Sequence, residues 1–192
     1  VVKKRLPALR IVISGAGAAG TAVAKLLLKA RVKDIIILDS KGIISKDRKD
    51  LVPHKKELAG KTNPRRVKGG LSDALKNANV FIGLSGPRLM NASHVKLMAK
   101  NPVVFAMANP VPEIMPEEAK RGGASLIATG RSDYPNQINN SLVFPGVFRG
   151  ALDNSVKKIT DEMKLKAAKN LAALVKRPTA KKIISGPFDK GV

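Results

Sequence analysis

Apolar residues along the chain fall into short blocks between polar turns, and the blocks alternate between two spacings. Ile11-Val12-Ile13 is an unbroken apolar run of strand length, whereas from Thr21 to Ala30 the apolar residues recur at helical spacing. A second unbroken run, in DIIILDS, predicts another strand buried on both faces. LSDALKNA, residues 71–78, predicts a short helix with Ser72 as its N-cap. NVFIGL then reads as a strand, SGPRLMN as a polar turn, and the next helix starts near Ser93. The strand PVVFAMA, the turn NPVP, a helix with Pro116 in its first turn and the strand ASLIAT complete the series.

Strands alternating with helices predict an α/β fold: a Rossmann-like, doubly wound, mostly parallel sheet covered on both faces. Ligands of such sheets bind outside the carboxyl ends of the strands. The turns to search for chemistry are therefore 15–20, 39–42, 85–88, 109–113 and 130–140. We expect this dinucleotide-binding domain over 1–150. Residues 151–192 read as a helical C-terminal extension of the same domain, since Ile159, Met163, Leu165, Ala168, Leu171 and Leu174 stand near helical spacing until Pro178 stops them. The tail AKKIISGPFDKGV is expected to pack back on the domain or to reach a partner.

The turn after the first strand holds Gly15, Ala16, Gly17, Ala18, Ala19 and Gly20 in the pattern G-x-G-x-x-G. Gly15 permits the sharp turn, Gly17 lets a pyrophosphate approach the backbone, and Gly20 lets the helix lie close to the strand. The helix N-terminus then offers free N–H groups and the positive end of its dipole to phosphates. Asp39 ends the next strand, roughly 20 residues on, where a carboxylate accepts hydrogen bonds from ribose hydroxyls. Strand, glycines, helix, strand and acid in that order point to dinucleotide binding; glycines and alanines also crowd together in tight helix–strand packing for structural reasons alone.

Composition adds one complication. Thirty-six Lys and Arg against 14 Asp and Glu give a net charge of +22, enough to attract polyanions at low salt. The cations are spread along the chain, and aromatics are only 3%, which leaves little for stacking on single strands. A solvated, lysine-rich surface is favoured over a dedicated nucleic-acid site. No apolar run is long enough to cross a bilayer, and the absence of cysteine fits a reducing, cytoplasmic setting.

Two turns are dense in polar groups. MANPVPE sets Asn109 directly after a strand, and TGRSDYPNQINN gathers Arg131, Ser132, Asp133, Tyr134, Asn136, Gln137, Asn139 and Asn140. Asp133 and Tyr134 are the residues to weigh as an acid–base pair, although a tyrosine in such a loop more often packs or hydrogen-bonds. Neither His54 nor His94 falls in a turn expected to face the cofactor, no cluster has metal-ligand spacing, and no complete catalytic set is visible.

RIVISGAGAAGTAVAKLLL, ILDSKGII, KTNPR, NVFIGLSGP, FAMANPVPEIMPEEA, IATGRSDYPNQINN and FPGVFRGALD, in one order, resemble the NAD-binding domain of malic enzymes, above all the short bacterial type. Members oxidise malate by hydride transfer to NAD or NADP and decarboxylate the product to pyruvate on Mg²⁺ or Mn²⁺. The resemblance implies that Gly15, Gly17 and Gly20 hold the pyrophosphate, Asp39 the adenine ribose, and Ser85 and Gly86 the nicotinamide side. It further implies that Asn109 lies beside nicotinamide and substrate, and that Asn139 and Asn140 reach the nicotinamide ribose or the malate carboxylate. Asp39 favours NAD, while Ser40, Lys41 or Lys46 offer partners for a 2′-phosphate, so the choice between NAD and NADP stays open. The family's catalytic tyrosine, lysine and metal ligands belong to a preceding domain. We therefore expect a cofactor domain whose partner is that catalytic half or a second copy. Its lysine-rich composition, without Cys or Trp, further suggests an excised, reconstructed or engineered sequence.

Overall fold

In β1 (Arg10–Ser14) and β2 (Asp34–Asp39), successive side chains point to opposite faces of a sheet, and both faces are buried. A computed structural model describes residues 3–192. Among them, six strands form one sheet in the order β3-β2-β1-β4-β5-β6. The other strands are β3 (Gly42–Ile43), β4 (Val80–Gly83), β5 (Val103–Ala106) and β6 (Leu126–Thr129). All neighbouring pairs are parallel except β2 with the two-residue β3. The expected doubly wound α/β architecture is thus present, with one antiparallel edge strand that no sequence pattern announced.

Two apolar cores lie on the two faces. Ile11, Ile13, Ile35 and Ile37 pack with Ala24 of α1 (Ala18–Lys29) and with Leu58 and Ala59 of α2 (Pro53–Lys61). On the other face Val12, Ile36, Leu38 and Phe81 pack with Ala74 and Leu75 of α3 (Leu71–Leu75), Val95 of α4 (Ala92–Lys96) and Ala119 of α5 (Pro116–Arg121). Strands covered on both sides need apolar residues at every position, which is why they read as unbroken runs.

Several boundaries differ from the sequence expectation. The helix at 71–75 is capped by Gly70 rather than Ser72, because Asp73 reaches back to accept from the Gly70 N–H at 3.1 Å. α6 (Phe144–Asp153) runs across position 150. α7 (Asp161–Ala173) ends well before Pro178, and its start is tied to α1 by Lys29, which pairs with Asp161 at 3.0 Å. The tail does pack back: Asn136 accepts from the Ile183 N–H and donates to the Ala180 carbonyl, and Ile183 rests against the first core. No helix among the described residues is long and apolar enough to cross a membrane.

Candidate functional site

The chain winds outward from β1 through β2 to β3, then crosses back to β4 on the other side of β1. That reversal opens a crevice at the carboxyl ends of β1 and β4, as expected of a doubly wound sheet. It has a volume of about 1240 Å³ and is walled by Ser14 to Gly17, Leu38 to Ile43, Arg48, His54, Lys55, Gly69, Ser85 and Gly86.

The glycines form its floor. Gly15 adopts φ of +113°, open to glycine and strained for other residues, and a Cβ there would strike the Leu84 carbonyl of the adjoining strand end. A Cβ on Gly20 would strike the Gly15 carbonyl, so the helix can approach the turn this closely only without one. Gly17 differs: nothing lies within 4 Å of the position its Cβ would take. It faces open space at the N-terminus of α1, which has no side-chain cap, so the first-turn N–H groups are available to an anion. The cradle fits a pyrophosphate. Across the crevice, Ser14 and Ser85 share a hydroxyl hydrogen bond of 3.0 Å that ties the two strand ends together.

At the far end sits Asp39, only 8% exposed in its side chain. Arg48 donates to it at 2.7 Å, Lys55 at 2.6 Å and the Lys41 N–H at 3.0 Å. Burial alone would raise this carboxyl, but the hydrogen bonds from Arg48, Lys55 and Lys41 outweigh it and hold its pKa at about 2, against 3.8 for a free aspartate. Arg48 also grips Asp50 at 2.7 Å, and its guanidinium is raised by both carboxylates, Asp50 first. A depressed folded pKa stabilises the native state above about pH 4, and that stabilisation is lost as pH falls through about 2. At about 1.4 kcal/mol per unit, wild type should lose on the order of 2 kcal/mol relative to Asp39→Asn between about pH 5 and pH 2. Urea unfolding of both proteins across that range measures it; a constant difference would mean the cations contribute nothing.

The structure brings together Gly15, Ala16, Gly17, Asp39, Ser40, Ser85 and Gly86 on the crevice wall, with Ala18, Ala19 and the buried Gly20 in the first turn of α1 behind them. Asn109, Asn139 and Asn140 lie apart from it, on the turns after β5 and β6. The Asn109 amide lies against Gly130. Asn139 accepts from the Ser141 N–H at 3.0 Å, capping a short 3₁₀ turn (Asn140–Leu142), and Asn140 is exposed. Asn136, which the sequence placed among the ligand-facing amides, is instead a buried brace between the Ile127 and Ala180 carbonyls.

Other positions depart from expectation. His54 does line the crevice, carried there by α2, whose only buried residues are Leu58 and Ala59 and whose apolar pattern is correspondingly faint. Lys46 lies in an adjoining groove, and Lys41 is paired with Asp50. Arg48 and Lys55 stand beside Asp39 instead, brought in by the chain between β3 and α2, and no local pattern distinguishes them from the other lysines and arginines. Asp133 is not poised as a base: Arg131 donates to it at 2.9 and 2.6 Å and lowers its pKa. Tyr134 lies under the Arg131 guanidinium, 5.4 Å from its ring centre, and Glu117 together with burial raises its phenol.

The family profile described as "Malic enzyme, NAD binding domain" matches residues 1–189. An NAD-dependent malic enzyme of Geobacillus stearothermophilus is 51% identical over 175 residues, covering 91% of this chain and 36% of that protein. An NADP-dependent malic enzyme of Halomonas elongata is 46% identical over 193 residues, covering 99% of this chain and 44% of that protein. The crystal structure of an NAD-dependent malic enzyme from Thermotoga maritima superposes with a TM-score of 0.93 at 42% identity, over 97% of this chain and 49% of the other. The chain therefore spans less than half the length of these relatives.

Proposed function

Since the chain belongs to the family of malic enzyme NAD-binding domains, we propose that it holds NAD or NADP in the crevice between β1 and β4, as the cofactor half of an enzyme that oxidises and decarboxylates malate. The observation that carries this is the cradle: three glycines whose missing side chains leave room for backbone contact and for a pyrophosphate, at the uncapped start of α1. Gly15, Gly17 and the first-turn N–H groups bind the phosphates. Asp39 orients the adenine ribose, and Ser85 and Gly86 border the nicotinamide end. The bound dinucleotide supplies the hydride acceptor. Asn109 and Asn140, on the turns after β5 and β6, orient the substrate, with Asn139 capping the 3₁₀ turn that begins at Asn140.

The remainder of a malic enzyme supplies the acid, the base and the metal ligands, and α6 presents the surface for it. Phe144, Phe148 and Leu152 recur every fourth residue and are 49%, 56% and 76% exposed, a contiguous apolar stripe on an otherwise charged surface.

Calorimetric titration of nucleic-acid-free protein with NAD and NADP at physiological salt tests the reading, with Asp39→Ala alongside. Saturable binding is expected. The variant should bind NAD about tenfold more weakly, as two ribose hydroxyls lose their acceptor. It should hold NADP at least as well, because Arg48 and Lys55 are freed toward a 2′-phosphate. Absence of saturable binding for both cofactors would overturn it.

A further inference from the structure

Among the described residues, Glu113 is the one carboxylate completely removed from solvent, at 0% exposure, and it lies in the turn after β5 rather than in either core. Each of its oxygens accepts one backbone N–H: Oε1 from Ser85 at 3.1 Å, in the turn after β4, and Oε2 from Ala108 at 3.1 Å, in the turn after β5. Its own carbonyl accepts from the Met90 N–H at 2.9 Å, and the Pro112 carbonyl accepts from Arg88 at 3.1 Å. Gly83, the last residue of β4, makes room for it, since a Cβ there would come within 2.6 Å of Oε1. The chain from Ser85 to Met90 is thus stitched to the chain from Ala108 to Glu113 by three hydrogen bonds, one of them to the Glu113 side chain, whose other oxygen is held from within its own turn by Ala108.

A buried carboxyl is a costly way to fill space, and an apolar residue of the same volume would serve packing better. What a carboxyl does that an apolar residue cannot is to fix two N–H groups at one separation. We propose that Glu113 is a positioning residue, setting the distance between the Ser85–Arg88 turn and the Ala108–Pro112 turn so that the nicotinamide end of the dinucleotide is held in one orientation. This rests on the dinucleotide reading above. The adenosine end, on β2, α1 and the Asp39 cluster, makes no contact with Glu113 and should not sense it.

Glu113→Gln keeps the volume but replaces one acceptor with an NH₂ group facing an N–H donor. The probes are ADP-ribose, which lacks nicotinamide, and NADH or NADPH, whichever wild type binds more tightly. ADP-ribose affinity should change less than about twofold, while affinity for the reduced dinucleotide falls about tenfold and the fluorescence enhancement of its bound nicotinamide is largely lost. Glu113→Asp, charged but too short to reach both turns, should behave alike and serves if the glutamine variant does not fold. Equal weakening of both ligands, or no change in either, would overturn the proposal and leave the dinucleotide reading standing. Failure of ADP-ribose and the dinucleotide to bind wild type would overturn both. In wild type, the Ser85 and Ala108 amide protons should exchange slowly, and rapid exchange at either one also rejects the clamp.

Discussion

Gly20→Val should eliminate saturable binding of NAD and NADP, a loss of at least about 100-fold. The position has no freedom: any Cβ there meets the carbonyl of Gly15, which is itself backbone and locked by a hydrogen bond from its N–H to Leu38 at 2.9 Å. Accommodating valine requires α1 to move away from the turn, which carries the first-turn N–H groups away from the phosphates and disturbs Ala24 in the core behind it. Stability should fall as well, on the order of 3 kcal/mol. Gly17→Ala separates the two effects. Its Cβ would meet nothing and its φ of −78° suits any residue, so the fold and its melting temperature should be unchanged. Binding should weaken all the same, because the methyl occupies the pyrophosphate's approach. Equal binding by Gly17→Ala and wild type would show that the phosphates do not lie over this turn.

Phe81→Ala carries the largest expected cost to folding, about 3–5 kcal/mol. Phe81 is fully buried in the central strand β4, where it joins Val12, Ile36, Leu75 and Val104 into one core. Little around it is free to collapse into the gap, as Val12, Ile36 and Val104 sit on strands fixed by their ladders and Leu75 ends the short helix α3 packed on them. Against a total stability of about 5–15 kcal/mol for an ordinary domain, such a loss brings the chain near its unfolding midpoint. Saturating dinucleotide should restore part of it, about 2.7 kcal/mol at 100 times the dissociation constant. Urea unfolding with and without cofactor checks both figures. A cost under about 1 kcal/mol would mean the helices on that face contribute little to holding the sheet together.

The sheet was readable from sequence because its strands are covered on both faces, leaving no polar position to blur runs such as Ile35 to Leu38. The glycine turn was readable because backbone geometry at Gly15 and Gly20 tolerates no substitute. β3 was not, being two residues defined only by their pairing with Leu38 and Asp39. Nor were the partners of functional groups. Arg48 and Lys55 are ordinary cations in a chain full of them until folding sets them on Asp39, and Glu113 looks like one more polar residue in a proline-rich turn until it is found beneath Gly83. Asn136 shows the converse: an amide that looked available for a ligand has its capacity taken by Ile127, Ala180 and Ile183. Burial and local spacing leave marks in a sequence, whereas long-range choice of a polar partner leaves none.

The order of strands also fixes a timetable on the ribosome. β1 can pair with β2 as soon as Asp39 has emerged, but its other edge stays bare until β4 is synthesised, and the two crevice turns are not clamped until Glu113 follows. A nascent chain therefore exposes its glycine turn from the time β1 emerges until Glu113 does, before the site is closed around it. Cofactor arriving early finds nothing to hold, so the dinucleotide can stabilise the finished domain without having guided its birth.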